Sequence, residues 1–444
     1  MFLILKNIGK IGKAEIELKG ITVIAGENNT GKSTVGKALY CMFNSFYDLG
    51  NEIRQTRHMM LERMIDESSN RTFQNYYIDT EGLARRIIAE REQILDSDGQ
   101  NVLKQMVQDY ISDHREFRED HSEMLEGEQL ESSLKKIKEF LGVSDEAIAV
   151  RILQKNMDAE FKGQICGSFA DMSEAEIGLK IKDREIKIHL EGNQVLHLEG
   201  MADLKTQAFY LDDPFVLDEL SSRRGFMTAG RRLDRMFKSS IKFMTHRNRL
   251  KYCLESRETH SGVEGVIEEL MIDSRMKRIL DKIDTVCEGE LNLSERSGCQ
   301  FSNPSFKEPL CAENISTGLK TFIILKTLLI KGYLEDNGTI ILDEPEVHLH
   351  PEWQLVFAEL IVLLQKEFGM HILLNTHSPY FLNALEVYSK KYKIEDKCRY
   401  YLAENRGKYA AFQDVTADRE PIYAKLARPL RFLEQEEQSD EEAL

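Results

Sequence analysis

The chain has 444 residues, with 75 acidic and 59 basic side chains and a net charge of −16. This length allows about two or three domain-sized units, and the charge excludes a surface that clamps nucleic acid indiscriminately. Seven cysteines without a Cys-x-x-Cys pair indicate neither a disulfide framework nor a zinc knuckle. No apolar run approaches the ~20 residues of a membrane span, and no secretion signal is legible, so a cytoplasmic protein without membrane contact is expected.

Phe2 to Asn7 and Ala14 to Leu18 predict a short hairpin, and Ile21 to Ala25 a buried strand. That strand feeds Gly26-Glu27-Asn28-Asn29-Thr30-Gly31-Lys32-Ser33-Thr34, after which Ser33 to Phe43 predict a helix. A glycine loop between strand and helix brings backbone N–H groups close to phosphate oxygens, where a Cβ at Gly26 or Gly31 would obstruct them. Asn28 and Asn29 belong to the same loop, Lys32 reaches the terminal phosphates, the Ser33 hydroxyl suits Mg²⁺, and Thr34 adds a phosphate hydrogen bond. ATP and Mg²⁺ are the expected cofactors.

Residues 1–44 are thus the first part of an α/β ATPase head. Residues 45–160 change to charged helix with apolar residues at helical spacing, among them Leu49, Ile53, Met60, Leu61, Leu134 and Leu141. Glycines at 82, 99, 127 and 142 interrupt any long heptad pattern, which predicts a compact insertion and not a coiled-coil arm. Residues 161–213 return to period two and read as the β-rich part of the head, ending in the strand Gln207 to Leu211. A second helical block, 214–300, carries the cations Arg223, Arg224, Arg231, Arg232, Arg235, Lys238, Lys242, Arg247, Arg249 and Lys251 around a single acid, Asp234. That basic stretch leaves three readings open: contact with a nucleic-acid backbone, a docking face for an acidic partner, or a solvated helix face.

Residues 301–415 read as the C-terminal part of the head and 416–444 as an extension with an acidic tail. Gly338 to Leu342 is an apolar strand that delivers Asp343 and Glu344 at its carboxyl end, where α/β sheets place ligands. Asp343 suits the Mg²⁺ shell; Glu344 suits orientation or deprotonation of the attacking water. His377 follows the next apolar run, at a position suited to the terminal phosphate. Ser316 and Gly318 open a helix whose N-terminus is a further anion-binding element. His348 and His350 have poor geometry for one metal ion, and Trp353 is expected to anchor its segment in the core or a dimer contact.

Gly26 to Thr34, Ile315-Ser316-Thr317-Gly318, Asp343-Glu344-Pro345-Glu346-Val347-His348-Leu349-His350-Pro351 and Asn375-Thr376-His377-Ser378-Pro379 together resemble the soluble ATP-binding-cassette ATPases: SMC, RecF and OLD types. The resemblance implies a mixed sheet flanked by helices and interrupted by a helical insertion. It also implies slow, regulatory ATP hydrolysis in a head-to-tail homodimer or larger homo-oligomer, in which Ser316 and Gly318 close ATP held on the other subunit's Lys32. Thr317 departs from the usual Leu-Ser-Gly-Gly signature, and no glutamine is assigned as the intervening one, Gln164 being a candidate by position alone. The insertion opposes a transporter subunit. By resemblance to stand-alone ATPases of the Septu and PARIS anti-phage systems, the chain is expected to regulate a separately encoded effector such as a nuclease. An SMC- or RecF-like ATPase that binds DNA through Arg223 to Lys251 is the alternative.

Overall fold

The computed structural model describes residues 1–72, 79–96, 98–113, 128–167, 174–220, 242–256, 274–294, 298–429, 431–433 and 435–436. The chain divides into two compact units: Met1–Tyr47 with Ile152–Leu444, and Asp48–Arg151 between them in sequence.

The first unit is built on one mixed sheet. Its strands are β1 (Phe2–Ile8), β2 (Ile11–Glu17), β3 (Ile21–Gly26), β4 (Glu174–Ile181), β5 (Arg184–Glu191), β6 (Gln194–Glu199), β7 (Ala208–Leu211), β11 (Thr339–Asp343), β12 (His371–Thr376), β13 (Cys398–Arg406) and β14 (Tyr409–Asp414). They lie in the order β6-β5-β4-β1-β2-β14-β13-β3-β12-β11-β7. The sheet is antiparallel from β6 to β2, where alternating residues face inward. From β13 to β7 every neighbouring pair is parallel. A parallel block needs cover on both faces, and Ile21 to Gly26 are accordingly buried without a break. Parallel pairing also aligns the carboxyl ends of β3, β12, β11 and β7 on one edge.

Helices follow these strand ends: α1 (Lys32–Phe46) after β3, α11 (Pro351–Phe368) after β11 and α12 (Pro379–Lys391) after β12. Their limits are written in the sequence. Pro351 and Pro379 occupy first-turn positions, Ser378 accepts a hydrogen bond from the Phe381 N–H, and Gly369, at φ +63°, ends α11 in the left-handed conformation. Phe357 of α11 sits 5.4 Å from the Phe322 ring on α10 (Thr317–Ile330) and 6.3 Å from Phe381, at the centre of the core. Truncating so completely buried a ring to alanine costs about 3–5 kcal/mol.

Between β7 and β11 lie α8 (His246–Glu255), α9 (Ser274–Asp284) and a small antiparallel sheet of β8 (Glu290–Ser294), β9 (Gly298–Ser302) and β10 (Leu310–Cys311). β8 and the start of β9 fall within residues 214–300, where a helical block is expected. The strands of this sheet are short, so the alternation of Leu291, Leu293, Cys299 and Phe301 is too brief to mark a sheet by period alone.

The second unit contains α2 (Leu49–Thr72), α3 (Thr80–Ala89), α4 (Arg91–Leu95), α5 (Gly99–Asp113) and α6 (Glu128–Gly142), while α7 (Asp145–Phe161) carries the chain back to the first unit. Leu61, Leu83, Ile87, Ile94, Leu103 and Leu141 close its core. Met60, expected inside, is 48% exposed, and Gly82 lies within α3 and not at a helix break.

Candidate nucleotide site at the strand ends

The phosphate loop leaves β3 at Gly26, which pairs with Ala403 of β13 so closely that a Cβ would stand 2.1 Å from the Ala403 carbonyl oxygen. Asn29 and Gly31 turn the chain through positive φ values of +59° and +82°. The α1 N-terminus then begins at Lys32 with no side-chain cap and no acid in its first turn. Free N–H groups and an unneutralised dipole at that end suit an anion. Asn28, Asn29 and Ser33 are exposed, and Thr34 is partly so.

Lys32 is 5% exposed, its ammonium bonded to the Gly26 and Glu27 carbonyls at 3.1 and 2.8 Å. Burial lowers its pKa, while the Glu344 and Asp343 charges oppose that shift. An ammonium sheltered in this way beside the loop fits a polyphosphate chain.

β11 delivers Asp343 and Glu344 beside the loop. One Asp343 oxygen accepts from Asn375 Nδ2 at 2.8 Å and the other from the Tyr210 hydroxyl at 2.8 Å; that hydroxyl is also 3.4 Å from the Ser33 carbonyl. Asp343 is thereby fixed in orientation. Glu344 has φ +49°, a conformation non-glycine residues rarely adopt. Its Oε1 stands 3.9 Å from Lys32 Nζ and 3.4 Å from His377 Nδ1. The contact with His377 lowers the Glu344 pKa, and the contact with Glu344 raises that of His377.

Glu346, 2% exposed, completes this edge: its Oε1 accepts from the Thr376 hydroxyl and, at 3.1 Å, from the His377 N–H, while its Oε2 has no partner. Burial raises its pKa.

A cavity of about 230 Å³ opens beside these groups, with Ser33, Asp212, Thr321, Asp343, Glu344 and His348 in its wall. Hard oxygen donors in small number suit Mg²⁺, which takes one or two carboxylates and completes its shell with phosphate and water. Among the described residues no cluster of three or more His, Cys, Asp or Glu could hold a metal ion. The residues fit Mg²⁺ with a nucleoside triphosphate.

A family model described as an AAA ATPase domain matches residues 1–382. The chain belongs to the AAA ATPase domain family. It is an ATPase, and the AAA ATPase head is the mixed α/β fold described above. Among solved structures this AAA ATPase is similar to the SMC head domain from Thermotoga maritima, at 10% identity and TM-score 0.39 over 93% of this chain and 98% of that one. It is also similar to the Smc head domain with an extended coiled coil bound to the C-terminal domain of ScpA from Pyrococcus furiosus, at 13% identity and TM-score 0.40 over 96% and 98%.

Ser316 and Gly318 differ from each other in this AAA ATPase. Ser316 is exposed at the start of α10 and makes no cap hydrogen bond there. Gly318 is buried, with 2.9 Å between an ideal Cβ and the His348 carbonyl oxygen and 3.1 Å to the Trp353 ring, so the glycine serves close packing inside its own chain. Trp353 packs edge-on to Phe322 at 6.2 Å, against the core. His348 stands edge-on to Phe215 at 5.7 Å and His350 is the N-cap of α11.

Gln164 follows α7, whereas the strand end beside Asp343 belongs to β7 and presents Asp212. Tyr210, Asp212 and Asn375 were not assigned roles by sequence. The available signal was the parallel between Gln207 to Asp213 and Gly338 to Glu344: an apolar strand ending in paired acids.

In the basic stretch, Arg223, Arg224, Arg231, Arg232, Arg235 and Lys238 lie outside the described residues. The described cations are engaged within the fold. Arg247 pairs with Asp213 and Glu219, Arg249 with Gln207, Lys251 with Glu219 at 4.0 Å, and Lys242 Nζ bonds the Tyr47 carbonyl at 3.1 Å. No described helix is long and apolar enough to cross a membrane.

Proposed function

We propose that ATP is held on the phosphate loop and cleaved by water activated at Glu344. The observation that carries this reading is the Glu344 carboxylate set between Lys32, at 3.9 Å, and His377, at 3.4 Å, beside an Asp343 fixed by two donors. Gly26, Asn28, Asn29, Gly31, Lys32 and Thr34 bind the phosphates; Ser33 and Asp343 hold Mg²⁺. When bound, Mg²⁺ draws charge from the terminal phosphate oxygens. Glu344 orients the water and takes its proton as the bond to the terminal phosphorus forms and that to the leaving ADP oxygen breaks. His377, exposed, donates to the terminal phosphate and reports its departure by returning to Glu344.

Ser316, exposed on an uncapped helix start, is the group offered to ATP on a second copy, which gives a head-to-tail dimer. ATP hydrolysis in that dimer is slow and regulatory. The helical unit inserted at residues 48–151 supports a sensor and scaffold that controls a separate effector, a nuclease or toxin in anti-phage defence. Because Lys242, Arg247, Arg249 and Lys251 are engaged internally, the described part of the basic stretch adds no support to the DNA-maintenance alternative.

Expression of the chain with its neighbouring reading frames in a phage-sensitive host tests the role. Wild type should lower phage plating, and Lys32→Ala should restore it; equal plating for both contradicts the sensor reading.

A further inference from the structure

Behind the nucleotide site, three segments remote in sequence meet at His246, the first residue of α8. Its Nδ1 lies 2.5 Å from Glu160 Oε1 on α7, and its Nε2 lies 2.9 Å from Asp212 Oδ2 at the end of β7. The His246 N–H also donates to Glu160 Oε2 at 3.0 Å. Two carboxylates that accept from both ring nitrogens require the imidazole to donate from both, so the ring is an imidazolium. A cation at a helix N-terminus opposes the dipole, and Glu160 offsets this by bridging ring and backbone at that end. The ring lies over Tyr210, with centroids 4.4 Å apart and planes inclined by 26°, and edge-on to Tyr40 at 6.0 Å. Tyr210 is the residue whose hydroxyl donates to Asp343.

We propose that His246 is a positioning residue for hydrolysis: clamped by Glu160 and Asp212 and stacked on Tyr210, it holds the Tyr210 hydroxyl on Asp343. The inference rests on Asp343 as a Mg²⁺-side group. It makes hydrolytic competence depend on where α7 and α8 meet. Glu160 lies on the helix by which the chain returns from the unit at 48–151, and His246 lies within the basic stretch, directly before Arg247. A shift of either segment would unseat the ring, loosen Tyr210 and free one Asp343 oxygen to rotate. Burial works against the imidazolium, and the two carboxylates more than compensate, raising its pKa to about 9; the clamp therefore holds near neutral pH.

The test measures affinity for a fluorescent ATP analogue with and without Mg²⁺, beside steady-state kinetics, for Tyr210→Phe, His246→Gln, the double variant and Asp343→Asn. We expect each single clamp variant to lower kcat about tenfold or more, keep KM and the metal-free affinity within about threefold, and shrink the Mg²⁺-linked gain in affinity. The double variant should be no worse than the poorer single one, within about twofold, because both break one path. Unchanged kcat and unchanged Mg²⁺ linkage in Tyr210→Phe, or effects that multiply in the double variant, overturn the inference. If His246→Gln does not fold, Glu160→Gln replaces it in the same cycle. Asp343→Asn separates the two levels: Mg²⁺ linkage surviving in that variant removes the assignment of Asp343 and the inference with it. Loss there beside wild-type behaviour in the clamp variants overturns the inference alone.

Discussion

His377 Nδ1 lies 3.4 Å from Glu344 Oε1, and each changes the other's proton affinity: the carboxylate is held below its usual range and the imidazole above. A Glu344 kept ionised to lower pH is ready to accept a proton from water across the neutral range. His377→Ala is expected to reduce kcat by about 10²-fold or more while ATP binding persists. It should also move the acidic limb of the pH–rate profile to higher pH, since Glu344 loses the contact that lowers its pKa. A pH–rate profile with an unmoved acidic limb would count against this pairing.

Glu346 is buried, raised in pKa, and has one oxygen bonded to Thr376 and His377 while the other has no partner. A glutamine can keep the accepting oxygen. Glu346→Gln should therefore change stability by less than about 1 kcal/mol, whereas Glu346→Ala strands two donors and should cost about 1–3 kcal/mol. Denaturant unfolding of both variants checks the difference.

Folding stability should also respond to His246. Its pKa is about 9 in the folded chain, against an ordinary value near 6.5 unfolded. The stabilisation is fully present below about pH 6.5 and is lost as pH rises through about 9, because the folded state binds the extra proton in that window. Melting temperatures measured from pH 6.5 to 9.5 should fall more steeply for wild type than for His246→Gln. Parallel curves would mean that the imidazolium is not favoured by folding.

Gly26 combines φ +151° with the 2.1 Å approach of an added Cβ to the Ala403 carbonyl. Gly26→Ala is expected to cost about 3 kcal/mol or more, through the clash and the strained backbone, and to abolish ATP binding by displacing the loop from β13. Calorimetric melting beside an ATP titration tests both parts; a variant that melts and binds like wild type would show that β3 and β13 separate freely.

The legible parts of this site were those whose chemistry is contiguous in the chain. Gly26 to Thr34 sits between a strand and a helix, and Asp343-Glu344 ends an apolar strand, so local pattern marked the loop and the acids, while the sheet came only from the resemblance and the parallel pairing that aligns these strand ends left no local trace. The left-handed turn at Glu344 and the burial of Gly318 against His348 depend on tertiary contact and left no periodic trace. The clamp of Glu160, Asp212 and His246 was hidden for the same reason: its members come from α7, β7 and α8, and each alone reads as an ordinary charged residue. In the basic stretch, charge density does not reveal that Arg247 is engaged by Asp213 and Glu219.

The central claim, that Glu344 acts on water while Lys32 holds ATP, is tested most directly by measuring ATP binding and single-turnover hydrolysis in Glu344→Gln and Lys32→Ala, with sedimentation as a readout of association. Glu344→Gln should bind ATP within about threefold of wild type, lose about 99% or more of its hydrolysis rate and accumulate as an ATP-dependent dimer, while Lys32→Ala should neither bind nor associate. Undiminished hydrolysis in Glu344→Gln, or the same association state in both variants with and without ATP, would contradict it.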